Sequence, residues 1–405
     1  MKYNSRPHED IGRSKGFFVP ALIIAAFSIE PPTVLIGLLL VDIGQTFGYS
    51  VGGMGQIRTI SSLVSIITSL LMGALSVRYS HKSLLLAGLL TYIISAVGCG
   101  MSPSYGTMAF FFALTGLASA IVAPMTITLI GDFLPQQERS SAIGSIISSR
   151  SLSYLVASPV LGFIAGSWGW RMGFLGYLLP ISLLSFLIAS SILPSENREA
   201  SLSKSRLQYL EGFKRVFSNH SAVACLLGTA LSTAAWQGIL FFSASFFRQH
   251  FLVSRNTTAI FVSVMAFCFM VSSYTSGHLT NKFGRKLLTV LGVFVFSLFT
   301  FAYTNLDTLW IALILTFLGG AFSGISYTAY NSLTLEQVPE FRGTMMSLSA
   351  ASLGLGMALG SGLGGLIFLK YGWRPVGPSL GAIGIFASMI FYFLTKDATQ
   401  EKQVV

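Results

Sequence analysis

Glu30 is the side chain in this sequence best suited to exchange a proton inside a membrane. It lies in a long apolar segment, residues 17–41, and is followed directly by Pro31 and Pro32. A charged group in hydrocarbon costs about 2.5 to 3.5 kcal/mol, so a carboxyl group at this depth marks a candidate proton carrier. The two prolines predict a bent or broken helix. The alternative is a neutral Glu30 that hydrogen-bonds another helix.

Two arginines, Arg58 and Arg150, lie inside other apolar segments and are candidates to act with Glu30 in proton coupling. Either guanidinium group could pair with the Glu30 carboxylate or attract an anionic substrate. Alternatively, Arg58 extends outward and Arg150 towards the cytoplasm, because long basic side chains reach a membrane interface from some distance.

The second half of the chain offers aromatic and uncharged polar side chains instead of buried charges. Such a wall suits an amphiphilic organic small molecule better than a multiply charged one. The candidate substrate-binding residues are Trp236, Gln237, Tyr274, Tyr327, Tyr330 and Asn331.

The sequence lacks the residue sets expected of an ATPase or a metal site. It has no phosphate-binding Gly-Lys loop, which argues against an ATP-driven pump, and no paired catalytic carboxylates, which argues against an enzyme. Three cysteines and five histidines lack metal-ligand spacing. We expect no catalytic residue, metal or cofactor. The net charge of +11 arises in short segments between apolar runs, so no nucleic-acid partner is expected either.

Long apolar segments must position these residues. The 405 residues are 53% apolar and only 10% charged, against roughly 25% charged in a soluble domain. A membrane helix needs about 20 apolar residues, and in lipid every backbone amide must be paired. The sequence therefore predicts an all-α membrane protein with twelve transmembrane helices, near residues 17–41, 55–77, 84–101, 107–131, 141–166, 173–193, 222–247, 257–277, 287–304, 308–333, 344–369 and 376–395.

The distribution of basic residues predicts the orientation in a cytoplasmic (inner) membrane. With both termini in the cytoplasm, 18 of the 25 Lys and Arg residues fall in cytoplasmic segments. Positive residues concentrate on that side of membrane proteins. The outer segments and helix ends hold six: Arg58, Arg171, Arg248, Arg255, Lys370 and Arg374.

A hydrophilic stretch divides the chain into two parts, and its residues from about Lys204 to Phe217 have helical spacing that suits the membrane surface. The predicted organisation is a cytoplasmic tail (1–16), a six-helix bundle (17–194), a cytoplasmic linker (195–220), a second six-helix bundle (221–395) and a cytoplasmic tail (396–405).

The two parts repeat each other at an offset of 203 to 204 residues. GALSVRYSHK at 73–82 matches GHLTNKFGRK at 277–286, and DFLPQQER at 132–139 matches EQVPEFR at 336–342. Gly-Trp-Arg occurs at 169–171 and again at 372–374. Three ordered matches at one spacing indicate parallel six-helix repeats.

On these residues the chain resembles the major facilitator superfamily, from about Phe17 to Thr395. The family motif between helices two and three is G-x-L-x-D-R-x-G-R-K. The copy at 277–286 is close to it, whereas the copy at 73–82 has Val77 in place of the Asp and Ser80-His81 in place of Gly-Arg.

The resemblance implies that the motif loops and the acidic helix ends form a charge network that breaks and re-forms as the halves rock. The alternative is that these charges only set the topology. The candidate gating residues are Gly73, Arg78, Lys82, Asp132, Arg139, Gly277, Asn281, Gly284, Arg285, Lys286, Glu336 and Arg342.

The fifth apolar segment is similar to the G-P-x-x-G signature of the twelve-helix drug/proton antiporter branch. Small residues with a proline allow a close and bendable helix crossing. The branch usually carries an Arg four residues before a Gly in helix four, whereas Phe112 precedes Gly116 here. Proton coupling must then be arranged differently. The candidate helix-packing residues are Pro159, Gly162, Gly362 and Gly365.

These features together predict a monomeric secondary active transporter that exports small amphiphilic organic compounds through the lipid bilayer, with a proton as the coupling ion, and not an enzyme. One carboxylate serves a proton or a sodium ion, so both remain open. Other hypotheses are an ion-coupled transporter of a specific metabolite, such as a sugar or organic anion, and a lipid flippase or non-transporting membrane sensor.

Overall fold

The computed structural model describes residues 15–194 and 204–397. Its described part is helical, without strands, and contains twelve candidate membrane spans, which confirms the predicted fold class. The helices are α1 Lys15–Phe27, α2 Pro31–Phe47, α3 Val51–Arg78, α4 His81–Gly100, α5 Tyr105–Phe133, α6 Gln136–Trp168, α7 Trp170–Met172, α8 Leu179–Ile192, α9 Lys204–Ser218, α10 His220–His250, α11 Arg255–Phe283, α12 Arg285–Tyr303, α13 Leu309–Leu335, α14 Arg342–Tyr371 and α15 Val376–Leu394.

The first span is broken where the two prolines predict it. Helix α1 ends at Phe27, and α2 begins with Pro31 and Pro32 in its first turn. Proline fits a first turn because the N–H that it lacks has no intrahelical partner there. The hydroxyl of Ser153 donates to the Phe27 carbonyl oxygen at 2.6 Å, so α6 satisfies an acceptor that the break leaves open.

Helix α9 lies in the predicted linker and confirms the helical spacing of that stretch. It packs against α10 and α14 of the second half. A Cβ atom at Gly212 would lie 2.6 Å from the Thr344 hydroxyl oxygen, so the linker helix is held close to the start of α14.

The two halves, α1–α8 and α10–α15, meet through α3 against α14 and through α6 against α11. We call the side of the bundle where α1 begins and α15 ends the terminal side, and the other the opposite side. Between described residues, the hydrogen bonds and ion pairs that join the halves involve residues 42–59 and 155–165 of the first and 248–263 and 357–362 of the second. The halves are therefore closed together towards the opposite side.

Small residues allow this close approach. A Cβ atom at Gly365 would lie 2.7 Å from the Gly52 carbonyl oxygen, and one at Gly162 would lie 2.7 Å from the Ala259 Cβ. Gly362 lies beside Thr59, and Pro159 is inside α6 next to Ser158, whose hydroxyl donates to the Ala259 carbonyl oxygen. The glycines of the predicted helix-packing set thus lie at the contact between the halves.

Candidate functional site

Glu30 forms an ion pair with Arg150 at the break in the first span. Arg150 Nε and Nη2 lie 2.9 Å and 2.6 Å from the same carboxylate oxygen, Glu30 Oε1. The Glu30 side chain is 19% exposed and that of Arg150 is 40% exposed, so the pair is only partly removed from solvent. The pair therefore ties α6 to the α1–α2 break.

Arg58 does not take part in this pair. Its side chain is buried on α3, with Nη2 3.1 Å from the Met357 sulfur and the guanidinium carbon 5.6 Å from the centre of the Phe241 ring. Within residues 15–194 and 204–397, no carboxylate lies within ion-pair distance of Arg58. It lines a small cavity between the halves together with Tyr154 and Gln237.

The predicted substrate-binding residues lie on three helices, α10, α11 and α13. Gln237 lines the cavity beside Arg58. Trp236, its neighbour, points into the second half and packs edge-on against Phe296, with 6.0 Å between the ring centres. Tyr274 is 84% exposed on α11.

The other members of the set lie on α13. Tyr330 is buried and stacks on Phe391, whereas Tyr327 is part-buried and contacts both Phe269 and Tyr330. The Asn331 amide donates to the Tyr327 carbonyl oxygen of its own helix. Of the six residues, Gln237 is thus the one that lines the cavity beside Arg58.

An acidic residue outside the sequence-based set joins the two halves at the opposite side. Asp42, near the end of α2, lies between Arg248 at the end of α10 and Arg255 at the start of α11, and contacts both guanidinium groups. Arg255 also donates to the Ala165 carbonyl oxygen at 2.6 Å. Asp42 is 9% exposed. We call Asp42, Arg248 and Arg255 the Asp42 cluster.

The motif loops on the terminal side make contacts mainly inside their own half. Lys82 donates to the Leu193 carbonyl oxygen, and Lys286 donates to the Thr395 carbonyl oxygen at 2.7 Å. His81 Nδ1 lies 2.5 Å from Asp132 Oδ2, which links α4 to the end of α5. The acidic end of α5 is therefore paired with the residue that replaces the motif arginine.

The remaining gating candidates have local surroundings. Arg139 donates to the Leu134 carbonyl oxygen, Arg78 lies over the neighbouring Tyr79 ring, and Glu336 follows the end of α13. Arg285 places Nη1 in a buried position without a hydrogen-bond partner among the described residues. The side chains at three further gating positions, Gly73, Asn281 and Arg342, lie outside the described set.

The two motif copies differ in backbone for a physical reason. Gly284 has a φ of 84°, a left-handed conformation that disfavours a side chain. Its counterpart Ser80 has a φ of −64° and accepts a hydrogen bond from the Ser83 amide as the N-cap of α4. A Cβ atom at Gly277 would meet nothing within 4 Å, so no neighbouring helix packs closely on this glycine in the described conformation.

The comparisons with known proteins agree with this architecture. The family model of the Major Facilitator Superfamily matches residues 17–251 and 225–404. The chain belongs to the major facilitator superfamily. It is thus a membrane transporter of the secondary type and not an enzyme.

Relatives of this major facilitator protein align along most of its length. The MFS-type transporter YwfA of Bacillus subtilis (strain 168) is 25% identical over 97% of this chain and 96% of its own. Multidrug resistance protein 2 of the same organism is 23% identical over 80% of each chain. A crystal structure of the D-xylose-proton symporter superposes with a TM-score of 0.79 at 17% identity, covering 94% of this chain and 97% of that one.

Proposed function

We propose that this protein exports small amphiphilic organic compounds in exchange for protons by alternating access. The observation that carries the proposal is the Glu30–Arg150 ion pair at a helix break inside the first membrane span. The name of the Bacillus subtilis relative Multidrug resistance protein 2 supports the substrate class. The cavity beside Arg58, whose wall combines apolar side chains with hydrogen-bonding groups, supports it too.

The ion pair gives a physical route from protonation to movement. The Glu30 carboxylate and the Arg150 guanidinium group attract each other across the α1–α2 break. Proton binding to Glu30 removes that attraction and leaves Arg150 without its anion. The link between α6 and the α1–α2 break then weakens. The equilibrium between the two access states shifts by the amount that protonation of Glu30 changes the difference between their free energies.

The Asp42 cluster supplies the complementary contact at the opposite side. Both arginines come from the second half and the carboxylate from the first, so the cluster holds only while the halves are together there. With the termini in the cytoplasm, as the positive residues indicate, the described conformation is closed to the outside. Opening to the outside requires these charge-assisted hydrogen bonds to break.

The orientation and the membrane are part of the proposal. We place the protein in the cytoplasmic membrane as a monomer with both termini inside. Reporter fusions after Ser104 and Leu306 should then respond as extracellular, and a fusion after Pro339 as cytoplasmic. A cytoplasmic response at Ser104 would overturn the proposed topology.

The experiment that tests the function uses the purified protein in liposomes. Uptake of a panel of amphiphilic compounds is measured with an imposed pH gradient, with an imposed sodium gradient, and with neither. We expect accumulation that depends on the pH gradient and is abolished by a protonophore. Accumulation driven only by the sodium gradient would show that sodium, and not a proton, is the coupling ion. No accumulation of any compound would favour a non-transporting sensor.

A further inference from the structure

Arg58 is a buried cation with no carboxylate at ion-pair distance among the described residues, and Glu30 acts on it only at longer range. It is 7% exposed, and its contacts are the Met357 sulfur at 3.1 Å and the face of the Phe241 ring at 5.6 Å. Neither neighbour carries a negative charge. A guanidinium group in this environment is costly without an anion, so it needs a partner or a function.

The acidic residues in the neighbouring spans are engaged elsewhere. Glu30 is held by two nitrogens of Arg150, and Asp42 is held by Arg248 and Arg255. Neither of these two carboxylates therefore forms an ion pair with Arg58. An anion that enters the cavity would supply it.

The cavity beside Arg58 has one polar and one apolar part. Thr33 and Tyr154 from the first half and Gln237 from the second provide hydrogen-bonding groups near the guanidinium group. The rest of the wall is aliphatic or aromatic and includes Leu38, Leu240 and Phe241. Residues of both halves line this space, so its shape changes when the halves separate.

We infer that Arg58 binds the anionic group of the transported molecule, and that the substrates are amphiphilic organic anions with a single carboxylate. The inference rests on the proposed function and names its substrate class. Arg58 offers parallel N–H donors that match the two oxygens of a carboxylate. The apolar wall receives the hydrocarbon part. A neutral analogue gains no ion pair, and a cationic analogue is repelled by the guanidinium group.

The experiment compares matched compounds that differ only in charge. The probes are 4-isopropylbenzoate, 4-isopropylbenzamide and protonated 4-isopropylbenzylamine, with the corresponding naphthalene and biphenyl series. Binding to the purified full-length protein is measured by calorimetry. We expect the carboxylate of at least one series to bind at least tenfold more tightly than its amide. Equal or weaker carboxylate binding throughout all three series would overturn the inference.

Two variants test the role of Arg58 itself. Arg58→Gln should weaken carboxylate binding at least tenfold and change amide binding less than twofold, whereas Arg58→Lys should keep part of the preference. Arg374→Gln, which removes an exposed arginine between α14 and α15, is the matched control and should bind like the original protein. A carboxylate preference that survives in Arg58→Gln would contradict the assignment.

A third variant separates this inference from the proposed proton coupling. Glu30→Gln should keep the carboxylate preference, because Arg58 is not paired with Glu30. Loss of gradient-driven transport with the preference intact supports both assignments. A preference with no response to any pH gradient in the original protein supports Arg58 as the anion-binding residue and contradicts proton coupling. Proton-driven transport of amides and amines without a carboxylate preference supports proton coupling and contradicts the assignment of Arg58 as the anion-binding residue.

Discussion

Lys82 and Lys286 occupy equivalent positions in the two halves, 204 residues apart, and each donates to the backbone carbonyl that follows the last helix of its own half. Lys82 reaches Leu193 after α8, and Lys286 reaches Thr395 after α15. The last carbonyls of a helix have no partner within the helix, and a cation there also complements the helix dipole. These lysines therefore fasten the sixth and twelfth spans inside their own bundles.

Replacing either lysine by methionine should lower stability more than it lowers turnover. We expect Lys82→Met and Lys286→Met each to cost about 1 kcal/mol, since one charge-assisted hydrogen bond to a helix end is lost. Thermal unfolding in detergent measures the cost. Lys370→Met, at an exposed helix end, is the control. Unchanged unfolding temperature with lost transport would instead place these lysines in the gate between the halves.

Gly277→Val should leave stability nearly unchanged and reduce turnover about tenfold. The added side chain meets open space in the described conformation, so folding tolerates it. If the terminal side closes during the cycle, helices approach at this motif and the valine blocks them. Gly106→Val, also in open space but at the opposite side, is the control. Equal turnover of both variants and the original protein would show that Gly277 takes no part in gating.

Asp42→Asn should favour opening at the opposite side. Loss of the charge from a carboxylate held by two arginines weakens the closed state by about 2 kcal/mol, a population change of roughly 30-fold. A cysteine at Thr59, which contacts Ser361 across the halves, should then react faster with a membrane-impermeant maleimide. Asp307→Asn, on an exposed loop, is the control. Unchanged labelling would show that the cluster does not hold the halves together.

Arg58→Met should stabilise the protein in the absence of substrate, by about 1 to 3 kcal/mol, because it removes a buried charge without an anion. The unfolding temperature in detergent is the measurement, with Arg150→Met as the comparison. Arg150→Met should destabilise, since it leaves Glu30 without its partner. A large destabilisation by Arg58→Met would mean that Arg58 is a structural residue held by Met357 and Phe241.

The sequence predicted the helices well because their physical signals are local. Twelve apolar segments of sufficient length, two prolines after Glu30 and an amphipathic linker are each visible in a short window. The helix ends were predicted less well, and the end of the first span is one example. The apolar run stops at Val41, but α2 continues to Phe47 and ends at Gly48, whose φ of 72° terminates it. Gly48 was the signal that could have placed Asp42 inside the helix.

Which arginine pairs with Glu30 depends on tertiary structure and could not be predicted from the spacing of the residues in the sequence. Arg58 and Arg150 were equally plausible partners for Glu30, and the rotation of α3 and α6 decides for Arg150. Trp236 and Gln237 are consecutive residues of one helix and so point about 100° apart, and only Gln237 lines the cavity with Arg58. Packing between helices, which no local pattern encodes, sets both outcomes.

The central claim is that Glu30 carries the coupling proton, and Glu30→Gln tests it most directly. Glutamine keeps the shape of the side chain and can still accept a hydrogen bond from Arg150, but it cannot release a proton. In liposomes with an imposed pH gradient, we expect the variant to lose substrate accumulation. Substrate binding should survive, and so should the exchange of substrate between the two sides of the membrane when its concentration is the same on both. Asp307→Asn should accumulate substrate normally. Accumulation by Glu30→Gln at the rate of the original protein would contradict the account.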